Sequence, residues 1–131
     1  MMTAAANPRV GALLTYCLTL GAMMAGFHVV AARAGGIDLA SLVVLALAAA
    51  TIAAATVILR KPLTGAPYAF FVFHVMSYVI VAGSVSLHAF VADWEGARGG
   101  GLAWMIGLWS VGLLVHAFAS LARHGFADAD L

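Results

Sequence analysis

The sequence predicts an all-α fold: four transmembrane helices packed antiparallel as a bundle with short loops, in a single integral membrane domain covering residues 1–131. Three observations predict it. The first is composition. The chain is 65% hydrophobic and 8% charged, with a mean hydropathy of +1.09. Soluble domains carry about a quarter charged residues, and six basic and five acidic side chains cannot dress a water-soluble surface. The second is length: four windows reach the roughly 20 apolar residues that a spanning helix needs. The third is connectivity, because short loops make sequential helices antiparallel neighbours.

The first window covers about residues 10–32. Asn7-Pro8 ahead of it reads as an N-cap followed by proline at the first helical position. Its apolar stretch is longer than the about 7–15 residues of a signal-peptide core, so a retained helix is expected. The second window covers about residues 39–59, with Asp38 as its cap and Arg60-Lys61-Pro62 closing it. Seven alanines fall between residues 46 and 55, and small residues let helices approach closely in lipid. The third window covers about residues 68–91 and is opened by Pro67. The fourth covers about residues 102–121, with Gly125 placed to end it.

Basic residues favour the cytoplasmic side. Arg9, Arg60, Lys61 and Arg123 fall on one side of the four-span topology. Arg33 and Arg98 fall on the other, diluted by Asp38, Asp93 and Glu95. The expected location is therefore the cell membrane, multi-pass, with both termini cytoplasmic.

Four histidines, His28, His74, His88 and His116, lie inside spans that hold no Asp, Glu, Lys or Arg between them. A polar side chain in hydrocarbon is costly and marks a functional site by default. Imidazole can stay neutral there and still offer a ring nitrogen to iron or to a hydrogen bond. His74 and His88, fourteen residues apart, differ by about 40° and roughly 21 Å along an ideal helix. On that seam lie Ser77, Val81 and Ser84, a polar stripe expected to face the bundle interior. Counting inward from the helix ends puts His74 at the depth of His116, and His88 at the depth of His28. The sequence thus offers two inward-facing histidine pairs at two heights, each drawn from two helices. Ser77, Ser84, Ser110 and Ser120 stand as hydrogen-bonding partners should the histidines be structural. Met23-Met24 and Cys17 read as packing, and His124 as solvated beyond the last span.

This layout resembles that of the membrane b-type cytochromes. The resemblance implies haem b held by axial histidines, with His74 and His116 as iron ligands and His28 and His88 as a further cofactor-binding pair. Residues 68–124 separately resemble the bacterial two-transmembrane-domain family. That pattern is carried by His74-Val75-Met76-Ser77-Tyr78 and by Trp109-Ser110-Val111-Gly112-Leu113-Leu114-Val115-His116-Ala117. Ser110 replaces the usual glycine, and Val81 and Ala82 stand where an asparagine is common. The family brings no activity with it, but both members of the His74/His116 pair are motif positions.

Other classes are excluded by the residues. The lone cysteine, Cys17, allows no Cys-x-x-Cys redox pair. No span holds the carboxylate of a four-helix drug exporter or an intramembrane aspartyl protease. Asp93 and Glu95 sit together only in a loop. There is no phosphate-binding motif, and a net charge of +1 gives no reason to bind nucleic acid. Two readings remain: a haem-b-binding electron-transfer subunit, or a cofactor-free structural, partner-binding or sensory module. In either, the partners are the lipid bilayer and other membrane subunits or copies of the chain, and catalysis by the chain alone is not indicated.

Overall fold

The computed structural model describes residues 8–61, 68–91 and 100–124. They form an all-α four-helix bundle: α1 (Pro8–Ala34), α2 (Leu39–Ile58), α3 (Ala69–Val91) and α4 (Gly101–His124). All four helices are long and apolar enough to cross a membrane, and the protein is an integral membrane protein. The Asn7, Pro67 and Gly125 signals, and the Asp93/Glu95 loop, lie outside the described residues.

The α1–α2 turn is built by glycine. Gly35 takes a left-handed φ of +71°, its N–H donates to Ala32, and the Gly36 N–H donates to Ala31. That pair of bonds satisfies two carbonyls at the helix end, and the φ favours a residue without Cβ. Asp38 then caps α2 as expected. Its carboxylate accepts from the Ser41 N–H at 2.8 Å, and the Ser41 hydroxyl accepts from the Asp38 N–H at 2.8 Å. These bonds from Ser41 hold the Asp38 carboxyl below its ordinary range. The cap is therefore complete above the ordinary aspartate range and is lost as pH falls through the lowered value.

The core runs along α1. Tyr16, Leu20, Met24, Phe27 and Ala31 are buried at spacings of three and four, the stripe of one helix face. Ala48 of α2 and Phe73 and Val81 of α3 close on that stripe. The α1 helix thus packs on both α2 and α3, while the substantial packing of α4 is with the first half of α3. No residue in the spanning window of α4 is fully buried.

The alanine-rich α2 does serve packing, on one face. Ala48 is 1% exposed, whereas Ala53 faces outward. Ala48→Leu is expected to destabilise the bundle by about 1–3 kcal/mol through overpacking, and Ala53→Leu to be nearly neutral. Reversible unfolding in mixed micelles measures both, and equal tolerance at the two sites would contradict this packing.

One element departs from the sequence reading. Val79–Gly83 is a π-helical segment inside α3. A π turn holds an extra residue, so the helix beyond it lags by about 100° relative to an uninterrupted α-helix. His74 and His88 are then separated by about 140° around the axis, not about 40°. They do not share one seam. His74 faces α4, and His88 faces α1.

Candidate functional site

The four span histidines meet in two pairs. The His74 and His116 rings stack between α3 and α4, with centroids 4.2 Å apart and planes at 25°. The His28 and His88 rings meet between α1 and α3, with centroids 4.8 Å apart at 35°. These are the pairs that depth counting predicts. The rotation imposed by the π segment is what lets one helix serve two different neighbours.

The burial of the pairs is uneven. His28, His74 and His88 are half-buried. His116 is exposed, which corrects the expectation that all four point inward. The physical reason is the position of α4: it leans on α3, so one face of the imidazole is covered and the other is left to the surroundings.

The ring nitrogens differ in a way that matters chemically. His74 Nδ1–H donates to the Phe70 carbonyl at 2.8 Å. A carbonyl can only accept, so this bond fixes the tautomer and leaves the lone pair of the neutral ring on Nε2. Metal-ligating histidines are commonly oriented by such a bond. In His28 both ring nitrogens are shielded from solvent, and neither has a hydrogen-bond partner among the described residues. Its ring lies edge-on against Phe27 at 5.1 Å and meets the His88 ring.

The serines do not serve the histidines as anticipated. Ser77, 1% exposed, shares a 2.6 Å hydroxyl bond with Tyr16 and donates to the Phe73 carbonyl. Ser110 bonds the Tyr78 hydroxyl at 2.9 Å, and Tyr78 also sits edge-on to Trp109. Ser84 is half-buried and donates to its own helix at Val81. The sequence reading missed both Tyr–Ser ties because it counted tyrosine with the apolar residues. Matching Tyr16 and Tyr78 in depth against serines of neighbouring helices would have found them. Tyr16→Phe should cost about 0.6 kcal/mol, typical of interhelical bonds in lipid. A loss above about 2 kcal/mol in the same unfolding assay would show that the bond carries more than it does elsewhere.

Cys17 donates to the Met76 sulfur at 3.5 Å, and the Thr51 hydroxyl donates to Met23 at 3.0 Å. Both thioethers are thus engaged in packing contacts between helices. Among the described residues, no three of His, Cys, Asp or Glu come together as a protein-bound metal ion would require. The glycines near the histidines leave room. A Cβ placed on Gly112, one turn from His116, or on Gly21, two turns from His28, would meet nothing within 4 Å.

The chain matches no protein-family model, no curated protein and no solved structure.

Proposed function

We propose that this membrane protein is a small electron-transfer subunit that holds haem b with His74 and His116. One observation carries the reading: two imidazoles from adjacent spanning helices converge at one depth, in spans with no acidic or basic side chain between them. Two further features support it. The Phe70 carbonyl presents His74 with Nε2 as the ligating nitrogen, and Gly112 leaves space beside His116. Haem bound there would supply one-electron exchange at its iron. The protein's contribution would be to fix the two ligands and to surround them with apolar side chains, which together tune such a centre.

At 4.2 Å the two rings are in contact, so admitting a macrocycle requires α4 to part from α3. That parting also stretches the Tyr78–Ser110 bond and the Tyr78–Trp109 contact, but it leaves the packing of α1 on α2 and α3 intact. The test is a titration of the purified protein in detergent with haem. Saturation at about one haem per chain, lost in His116→Ala, is the expected result of bis-histidine ligation. Absence of saturable binding would overturn the reading.

A second reading rests on the same stack. Direct ring contact is also what a cofactor-free bundle would use to shelter two imidazoles, as part of a partner-binding or sensory module. The resemblance of residues 68–124 to the two-transmembrane-domain family suits that reading equally. A protein that stays colourless in the titration, with His116→Ala costing about 0.6 kcal/mol of stability, would favour it.

A further inference from the structure

A groove of about 290 Å³ runs between α1 and α2, lined by Thr15, Tyr16 and Thr19 on one side and by Thr51, Ala54 and Ile58 on the other. Four hydroxyls line it, and all four are engaged within the protein. Thr15 donates to the Gly11 carbonyl at 3.0 Å, Thr19 to the Thr15 carbonyl at 2.8 Å and Thr51 to the Leu47 carbonyl at 2.9 Å. Tyr16 shares its bond with Ser77. No hydroxyl proton is left for a polar ligand. The walls offer methyl and methylene groups instead, with Ala54 and Ile58 exposed along them. At one end the lining is completed by Ala12 and Leu59, where α1 begins and α2 finishes. Cations gather just beyond. Arg60 and Lys61 follow Leu59 directly, and both are exposed. Arg9 opens α1 three residues before Ala12. Among the described residues no carboxylate lies at this end. The acidic side chain they include is Asp38, which caps the far end of α2.

An apolar groove that ends at a cluster of cations asks for an occupant with two parts, a hydrocarbon chain and an anionic head. We propose that the α1/α2 groove binds one anionic phospholipid. An acyl chain lies against Thr15, Thr19, Ala54 and Ile58, and the phosphate meets Arg60 and Lys61. The dimensions suit this. Ala12 to Thr19 spans roughly 10 Å of helix, enough for the first part of a chain whose head stays at the membrane surface. Charge selects the head. A zwitterionic lipid carries its own cation beside the phosphate, which clustered basic side chains repel, whereas each lysine or arginine near the surface raises affinity for an anionic lipid about fivefold. The site is separate from both histidine pairs, and the proposal stands whether or not His74 and His116 hold haem.

Native mass spectrometry of the full-length protein tests it, with release from detergent micelles that hold equal amounts of phosphatidylglycerol and phosphatidylcholine of the same acyl chains. One phosphatidylglycerol per chain should be retained in preference to phosphatidylcholine. Arg60→Gln combined with Lys61→Gln leaves the groove intact and should lower that preference about fivefold for each cation lost. Ala54→Phe keeps every cation, places a ring in the groove and should abolish retention. Ala54 is exposed, so the ring overpacks no buried contact, and circular dichroism of both variants should show unchanged helix content. Equal retention of the two lipids by the wild type, or an unchanged preference in the neutralised variant, would overturn the proposal. Unchanged retention in Ala54→Phe would overturn it too, because the cations would then draw anionic lipid without a seat between the helices.

Discussion

His74→Ala should abolish the low-spin haem spectrum that the proposed ligation predicts and leave the four helices in place. Both halves of this expected result follow from the geometry. Low-spin b-type character requires two strong axial ligands, and His74 is the member of its pair whose tautomer is fixed, through Nδ1–H to the Phe70 carbonyl. Its loss leaves His116 alone on an edge helix with one ring face uncovered. The helices remain because apolar length makes each one span, and α3 is held to α1 by Phe73, Ser77 and Val81 rather than by His74. The structural cost should stay within about 1 kcal/mol, the ordinary worth of a polar side-chain contact in lipid. His28→Ala is the control. It lies in the other pair, and the spectrum should survive it. Optical spectra of the two variants, with circular dichroism for helix content, make the comparison. A low-spin spectrum surviving in His74→Ala would remove His74 from the site.

Deleting Val79 should leave His28 against His88 and His74 against His116. The Val79–Gly83 turn carries one residue more than an α-helix would, and Val79 is an exposed member of it. With one residue removed, the segment can close as α-helix, and the thirteen steps of about 100° then left between His74 and His88 give the same separation of about 140°. His88 therefore keeps its face on α1, whereas in an uninterrupted α-helix the same deletion would turn it by about 100°. His74 precedes it and keeps its face. Cysteine pairs placed at 28/88 and at 74/116, in a Cys17→Ser background, report each contact through a short bifunctional thiol reagent. Both the 28/88 and the 74/116 cross-links should persist in the deletion. Loss of the 28/88 cross-link in the deletion would mean that the π segment does not set the facing of His88.

The spans were legible because hydrocarbon imposes a length and a composition that few sequences meet by accident. The bounds of α1 to α4 differ from the hydropathy windows by a few residues at most. The Asp38 cap and the pairing of histidines by depth were legible for related reasons: a cap follows local chemistry, and depth follows from counting residues along rods of known rise. Facing was not legible. It depends on every residue contributing the same rotation, and the run Val79-Ile80-Val81-Ala82-Gly83 breaks that assumption with no charge, proline or polar group to announce it. The exposure of His116 was hidden for a different reason. Short loops fix which helices are neighbours, but they do not say whether the fourth helix closes on the first or leans on the third alone. The groove between α1 and α2 is equally invisible in sequence, since it is made by the distance between the two helices and not by any residue in either.

The central claim is that two histidines from neighbouring spans, His74 and His116, hold a redox centre inside the bilayer. The most direct measurement is the reduced-minus-oxidised absorption spectrum of the protein purified from membranes of cells supplied with ample haem. A Soret band with the sharp visible bands of low-spin, bis-imidazole iron is predicted, in an amount near one haem per chain as two ligands per iron require. A folded protein with a flat difference spectrum would contradict the claim and leave the stacked histidines as a structural contact.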